Sequence, residues 1–252
     1  MRDEEAVIPC PAVIPKASPT AAAVRAALKK CASPARAAVS QTFFKTGKGQ
    51  YGEGDVFMGV TVPDQRVVAR AFFDLPTDEL LKLLHSKVHE ERVTAVLILV
   101  RQYEKGDVEQ QAKIVKLYLA NTAQINNWDL VDGSAPYILG HWLLDKDRKL
   151  LHKLAKSKLL WERRIAMVAT QTFIRNGEHE DCFEIAKLLL KDEHDLMHKA
   201  VGWMLREVGK RVGMQELRSF LSLHATIMPR TALRYAIEHL SADEKAKWMK
   251  RV

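Results

Sequence analysis

Four stretches of the chain open on a basic residue and continue with small and apolar ones: RVTAVLIL from Arg92, RIAMVATQ from Arg164, KAVGWMLR from Lys199 and RTALRYAI from Arg230. The first two starts lie 72 residues apart; the later steps are 35 and 31 residues. If 72 is two steps of 36, the chain repeats a unit the size of a helix pair. Helix-pair repeats with periods of about 30–40 residues stack into solenoids. No stretch alternates apolar and polar residues long enough for a strand, so no sheet is expected. The signature residues of TPR units are absent. The reading is all-α: a HEAT-like repeat α-solenoid whose equivalent positions line one face, here a concave basic groove.

Helix punctuation agrees. Ser18-Pro19 and Ser33-Pro34 each read as an N-cap followed by proline at the first helical position. GKGQYGEGD, residues 47–55, reads as a loop, and Pro63 opens the helix after it. EERVTAVLILVRQYEKG ends on Gly106; Asp107 with Gln110, and Ser241 with Glu244, then look like capping boxes. Residues 1–17 read as a flexible Pro-rich tail and residues 18–252 as a single helical domain.

The chain carries 39 Lys and Arg against 31 Asp and Glu, a net charge of +8, with 47% hydrophobic residues. That apolar content excludes a disordered chain. The charge suggests a polyanionic partner, nucleic acid ahead of an anionic membrane. No apolar run approaches the ~18 residues of a membrane span, and no secretory signal is evident. The three cysteines, 10, 31 and 182, form no disulfide or metal pattern, so a cytoplasmic setting is expected, bacterial cytosol or nucleoid. His85 with His89, and His194 with His198, are spaced i, i+4 but lack a third ligand. The glycine loop lacks the phosphate-cradling pattern, and Cys182 has no adjacent base. No metal and no cofactor is expected.

One segment departs from the basic pattern. NNWDLVDGSAP, residues 126–136, places an indole and two carboxylates together, and Trp128 falls halfway between Arg92 and Arg164. On a helix Trp128 and Asp132 are i and i+4 and share a face. Leu130 and Val131 turn toward a core, Asn126 or Asn127 caps the helix, and Asp129 suits its positive end. Taken singly, Trp128 reads equally as core packing and Asp132 as an ordinary salt bridge.

WDLVD, WERRIAMV and KAVGWMLREVGK, together with YGEGDVFMGVTVPDQR at residues 51–66, resemble the AlkD-type DNA alkylation-repair glycosylases. The likeness spans roughly residues 20–250. It implies a HEAT-like solenoid that excises N3- and N7-alkylated purines from double-stranded DNA and leaves an abasic site. It gives Trp128 and Asp132 the roles of active-site aromatic and catalytic carboxylate, and Trp203 that of the second aromatic. Arg164 becomes the active-site arginine, with Arg163 competing; the repeat also selects Arg164. Arg206 lies one turn beyond Trp203. Tyr51, Phe43 and Phe44 are candidates for a further aromatic. Arg92, Lys199 and Arg230 are expected on phosphates. No lysine nucleophile appears in the matched motifs, so the expected enzyme is monofunctional. A monomer with no membrane partner is expected. The alternative is a non-catalytic HEAT-like DNA-binding protein; a protein–protein scaffold ranks third.

The residue types suit that chemistry. A cationic alkylpurine is already a good leaving group, so one of the two carboxylates of an ordinary glycoside hydrolase is unnecessary. The remaining carboxylate, Asp132, stabilises the cationic sugar and orients or deprotonates water. Indoles attract a cationic base or sugar by about 0.5–2 kcal/mol. Arg164 is expected on a phosphate beside the lesion, because a second cation against the base is repulsive.

Overall fold

The computed structural model describes residues 18–250; the expected tail at 1–17 lies outside them. The described residues fall into two compact units, one up to Leu130 and the other from Val131. No shift in composition marks this division.

The first unit holds α1 (Ala21–Lys29), α2 (Pro34–Phe43), α3 (Val62–Ala71), α4 (Thr77–Leu84), α5 (His89–Lys105) and α6 (Val108–Ala120). α7 (Trp128–Asp132) contains the boundary. The second unit holds α8 (Lys149–Ala155), α9 (Leu160–Ala169), α10 (Gln171–Arg175), α11 (Glu180–Leu189), α12 (Asp195–Arg211), α13 (Met214–His224), α14 (Arg230–Ala236) and α15 (Ala242–Met249). Among the described residues the regular structure is helical, as the HEAT-like reading requires; the only extended pairing is an isolated parallel bridge between Val56 and Val88.

Each unit is organised around one 17-residue helix. α5 is buried nearly all round along its middle: Val93, Ala95, Val96, Ile98, Leu99 and Tyr103 are all buried. A helix with that pattern needs cover on several sides, and α1, α3, α4 and α6 supply it. α12 is covered by α9, α10, α11, α13 and α14. Gly202 sets its closest approach, since a Cβ there would lie 2.3 Å from the Ala232 carbonyl oxygen on α14.

The caps follow the sequence in most places. Ser33, Asp107 and Ser241 accept from the backbone N–H three residues on, and Gly106 follows the last residue of α5. The first helix is capped by Thr20 and not by Ser18, because Thr20 Oγ1 takes the Ala23 N–H. Cys31 is disulfide-bonded, against the expectation from cysteine spacing, while Cys182 is a buried free thiol. The cysteines therefore carry no argument about compartment. No described helix is long and apolar enough to cross a membrane.

Candidate functional site

α5 begins HEER, which in sequence looks like a solvated first turn, yet all four side chains are buried. Burying four ionisable groups requires partners for each. The Val56–Val88 bridge places Asp55 beside the helix start, with Val56 N–H donating to Lys87 O and His89 N–H donating to Val56 O. His89 then donates from Nε2 to Asp129 Oδ2 at 2.7 Å and from Nδ1 to Asp55 Oδ2 at 3.2 Å. Arg92 donates to Asp55 Oδ1 at 2.7 Å and to Ser86 O at 2.9 Å. Glu91 takes Arg25 Nε at 2.8 Å. Glu90 gathers the backbone N–H groups of Met58, Gly59 and Val60. Gly59 fits this turn because its φ is +75° and a Cβ would meet Ser33 O at 2.1 Å.

Charge sets the protonation of this cluster. Burial works against a charged His89, but the hydrogen bonds to Asp129 and Asp55 outweigh it and raise its pKa from 6.5 to about 9. Burial likewise disfavours the Asp55 anion, and His89 and Arg92 more than compensate, so its carboxyl titrates below the usual range. Because the folded pKa of His89 exceeds the unfolded one, its contribution is complete below pH 6.5 and is lost as pH rises to about 9. The loss is on the order of 3 kcal/mol. Urea midpoints should therefore fall between pH 6 and pH 9.5, and His89→Gln should flatten that fall; an unchanged slope in the variant would place the titration elsewhere.

Above this cluster lies an aromatic group. Phe44 stacks on Trp128 at 5.4 Å and 13°, on Phe57 at 5.0 Å, and against His89 at 4.6 Å. Phe43 meets Trp128 edge-on at 6.1 Å and is exposed. Of the further aromatics suggested by sequence, Phe43 and Phe44 both meet Trp128. Trp128 itself is half-buried.

Asp132, at the end of α7, is gripped bidentately by Arg164: Nε to Oδ1 at 2.9 Å and Nη2 to Oδ2 at 2.8 Å. Arg164 also donates to Leu196 O at 2.6 Å, so one guanidinium ties together α7, α9 and the start of α12. Its side chain is 5% exposed, whereas that of Asp132 is 19% exposed. The carboxylate expected to be catalytic is therefore in an ion pair, with its cation inside and its own edge reaching the surface. The phosphate contact expected of Arg164 needs correction: its guanidinium is buried and turned to Asp132.

A repeat in the hydrogen bonds corrects the register as well. Ser86 Oγ takes Val88 N–H and Ser86 O takes Arg92. Ser157 Oγ takes Leu159 N–H and Ser157 O takes Arg163. Asp192 Oδ1 takes His194 N–H and its carbonyl meets His198 Nε2. Each of these three turns before a helix is closed by a short polar side chain and a basic residue six positions on. Arg92, Arg163 and His198 are the equivalent positions. Arg164 stands one residue past its slot, freed from capping to hold Asp132.

The remaining expected residues are placed as follows. Arg92 is 2% exposed within the Asp55 network, so the phosphate contact expected of it also needs correction. Lys199 pairs with Asp195 at 2.7 Å, and Arg206 pairs with Glu238. Arg230 is exposed and donates to Met249 O at 3.3 Å. Trp203 is half-buried on α12. The spaced histidines serve structure: His85 bonds Asn121 Oδ1, His89 bridges two carboxylates, and His194 caps Leu196. Sequence reasoning missed Asp55 and Glu90 and noted His89 only as one of a spaced pair; the one signal was a helix start with no capping residue at Val88.

A family model described as DNA alkylation repair enzyme matches residues 24–240. Among solved structures, a "predicted DNA alkylation repair enzyme" from Enterococcus faecalis is similar, with 16% identity and a TM-score of 0.64, over 84% of this chain and 97% of that one. At that identity the likeness shows a shared all-helical fold. Among curated proteins none matches. The family match covers most of the chain, including α7, α9 and α12, and the chain belongs to the DNA alkylation repair enzyme family.

Proposed function

We propose that the chain is a monofunctional DNA glycosylase that hydrolyses the N-glycosidic bond of cationic N3- and N7-alkylated purines in duplex DNA. The observation that carries this reading is the Arg164–Asp132 pair. A buried guanidinium fixes both carboxylate oxygens while their outer edge stays accessible, which is how a preorganised charge is built. The alkylpurine leaves with the bonding electron pair, which neutralises its positive charge. Water adds to C1′, and Asp132 stabilises the sugar cation and accepts the proton. Arg164 acts through Asp132 as a positioning residue.

Trp128 and Trp203 are proposed to offer ring faces to the cationic base or sugar. Lys199, Arg206 and Arg230 are proposed to contact phosphates, Lys199 and Arg206 by exchanging Asp195 and Glu238 for DNA. The protein works as a monomer and needs no cofactor in this reading. One observation favours a second reading, a non-catalytic DNA-binding protein: Arg164 offsets the charge of Asp132. Duplex DNA bearing N7-methylguanine separates them. A glycosylase releases free 7-methylguanine and leaves alkali-labile abasic sites; salt-sensitive binding with release at the spontaneous rate supports the second reading.

A further inference from the structure

α7 has only five residues, and a helix of little more than one turn does not hold itself together. Trp128 therefore depends on supports outside α7, and the first unit supplies them for backbone and ring alike. The residue before it, Asn127, is fully buried. Asn127 Oδ1 accepts the Trp128 N–H at 2.8 Å, and Nδ2 donates to Asp55 Oδ2 at 3.4 Å. The residue after it, Asp129, accepts from His89 Nε2 at 2.7 Å. The indole plane lies 13° from that of Phe44, and the Phe44 ring rests against His89 at 4.6 Å and Phe57 at 5.0 Å. His89 thus touches both supports: the carboxylates that anchor the backbone and the ring that sets the indole plane.

The charge of His89 decides whether both anchors hold. An imidazolium has two N–H groups, one for each carboxylate; a neutral ring has one. Asp55 faces it from the preceding loop, Asp129 from α7, and Arg92 from its own helix with Nη2 3.5 Å from Nδ1. Glu90, next on α5, is taken by backbone N–H groups. Burial and the Arg92 charge oppose the cation, and the hydrogen bonds to Asp129 and Asp55 prevail. Loss of the proton leaves one carboxylate without its donor. At Asp129 the loss frees α7 directly; at Asp55 it loosens the anchor of Asn127.

We propose that His89 is a positioning residue for Trp128, holding its backbone through Asp129 and Asp55 and its ring through Phe44, so that the indole keeps its face away from Phe44 turned to the reacting nucleotide. The purpose of this arrangement rests on the glycosylase reading; the coupling of His89 to Trp128 does not.

Fluorine NMR of the full chain carrying 5-fluorotryptophan tests the coupling without DNA. The Trp128 line, identified by its absence from Trp128→Phe, should move between pH 7 and pH 10 with a midpoint of about 9. In His89→Gln the movement should vanish. A Trp128 line that ignores pH in the wild type, or moves alike in both proteins, would overturn the proposal. Phe44→Leu leaves the hydrogen bonds of His89 in place and removes the stack. Both variants should slow single-turnover release of 7-methylguanine by about 2- to 30-fold, the weight of one cation–π contact, with duplex affinity retained. Release at the wild-type rate in both would overturn the positioning role even where the line moves. A wild type whose Trp128 line moves but which releases no base supports the coupling and removes the glycosylase reading alone.

Discussion

Asp132→Asn is expected to slow single-turnover release of 7-methylguanine by about 10²–10³, the usual cost of removing one preorganised electrostatic group. Duplex affinity should change little, because the substitution leaves the surface cations in place. Asn keeps one acceptor for Arg164, so the loop between α7 and the rest of its unit stays tethered and the melting temperature should hold to within a few degrees. Arg164→Ala removes the clamp instead. Asp132 then loses both of its bonds to that guanidinium, and misplacement of a reacting group by about 1 Å can cost 10²-fold. Rate loss with retained affinity in both variants marks a chemical role. Rate loss that merely follows thermal stability across the two would mark a structural one.

Asp55→Ala is expected to be the most destabilising single substitution in the first unit. Asp55 is shared by His89 and Arg92, both nearly fully buried. Removing it strands Arg92 and leaves His89 with Asp129 alone. Breaking a buried charge pair from one side costs about 3–5 kcal/mol, which for a chain of this size is a fall of roughly 6–20 °C in melting temperature. Differential scanning calorimetry measures this directly. A fall under about 2 °C would show that water reaches these groups and that the network adds little.

Much of the helical framework was legible because helix signals are local. The Ser33, Asp107 and Ser241 caps, the end of α5 at Gly106 and the start of α7 at Trp128 each follow from a few neighbouring residues. The α5 network was not legible. Asp55 sits 34 residues before His89, and Asp129 sits 40 residues after it; nothing local tells a buried HEER from a solvated one. Arg164 illustrates the same limit. Its position was found by resemblance and by a loose repeat, but the repeat in the hydrogen bonds belongs to Arg163. Its role was misread because a guanidinium pairs equally well with phosphate and carboxylate, and the choice was made by the fold. Trp128 and Phe44 come from segments over 80 residues apart, so their stacking became visible only in three dimensions.

The most direct test of a catalytic Asp132 uses two otherwise identical duplexes. One carries a neutral tetrahydrofuran abasic analogue, the other a pyrrolidine analogue whose ring nitrogen is protonated and mimics the sugar cation. An enzyme complementary to its transition state binds the mimic more tightly. Wild-type protein should prefer the cationic duplex by about tenfold or more, and Asp132→Asn should abolish that preference while binding the neutral duplex as before. Equal affinity of the wild type for both duplexes, or a preference that survives the substitution, would contradict a role for this carboxylate at the reacting sugar.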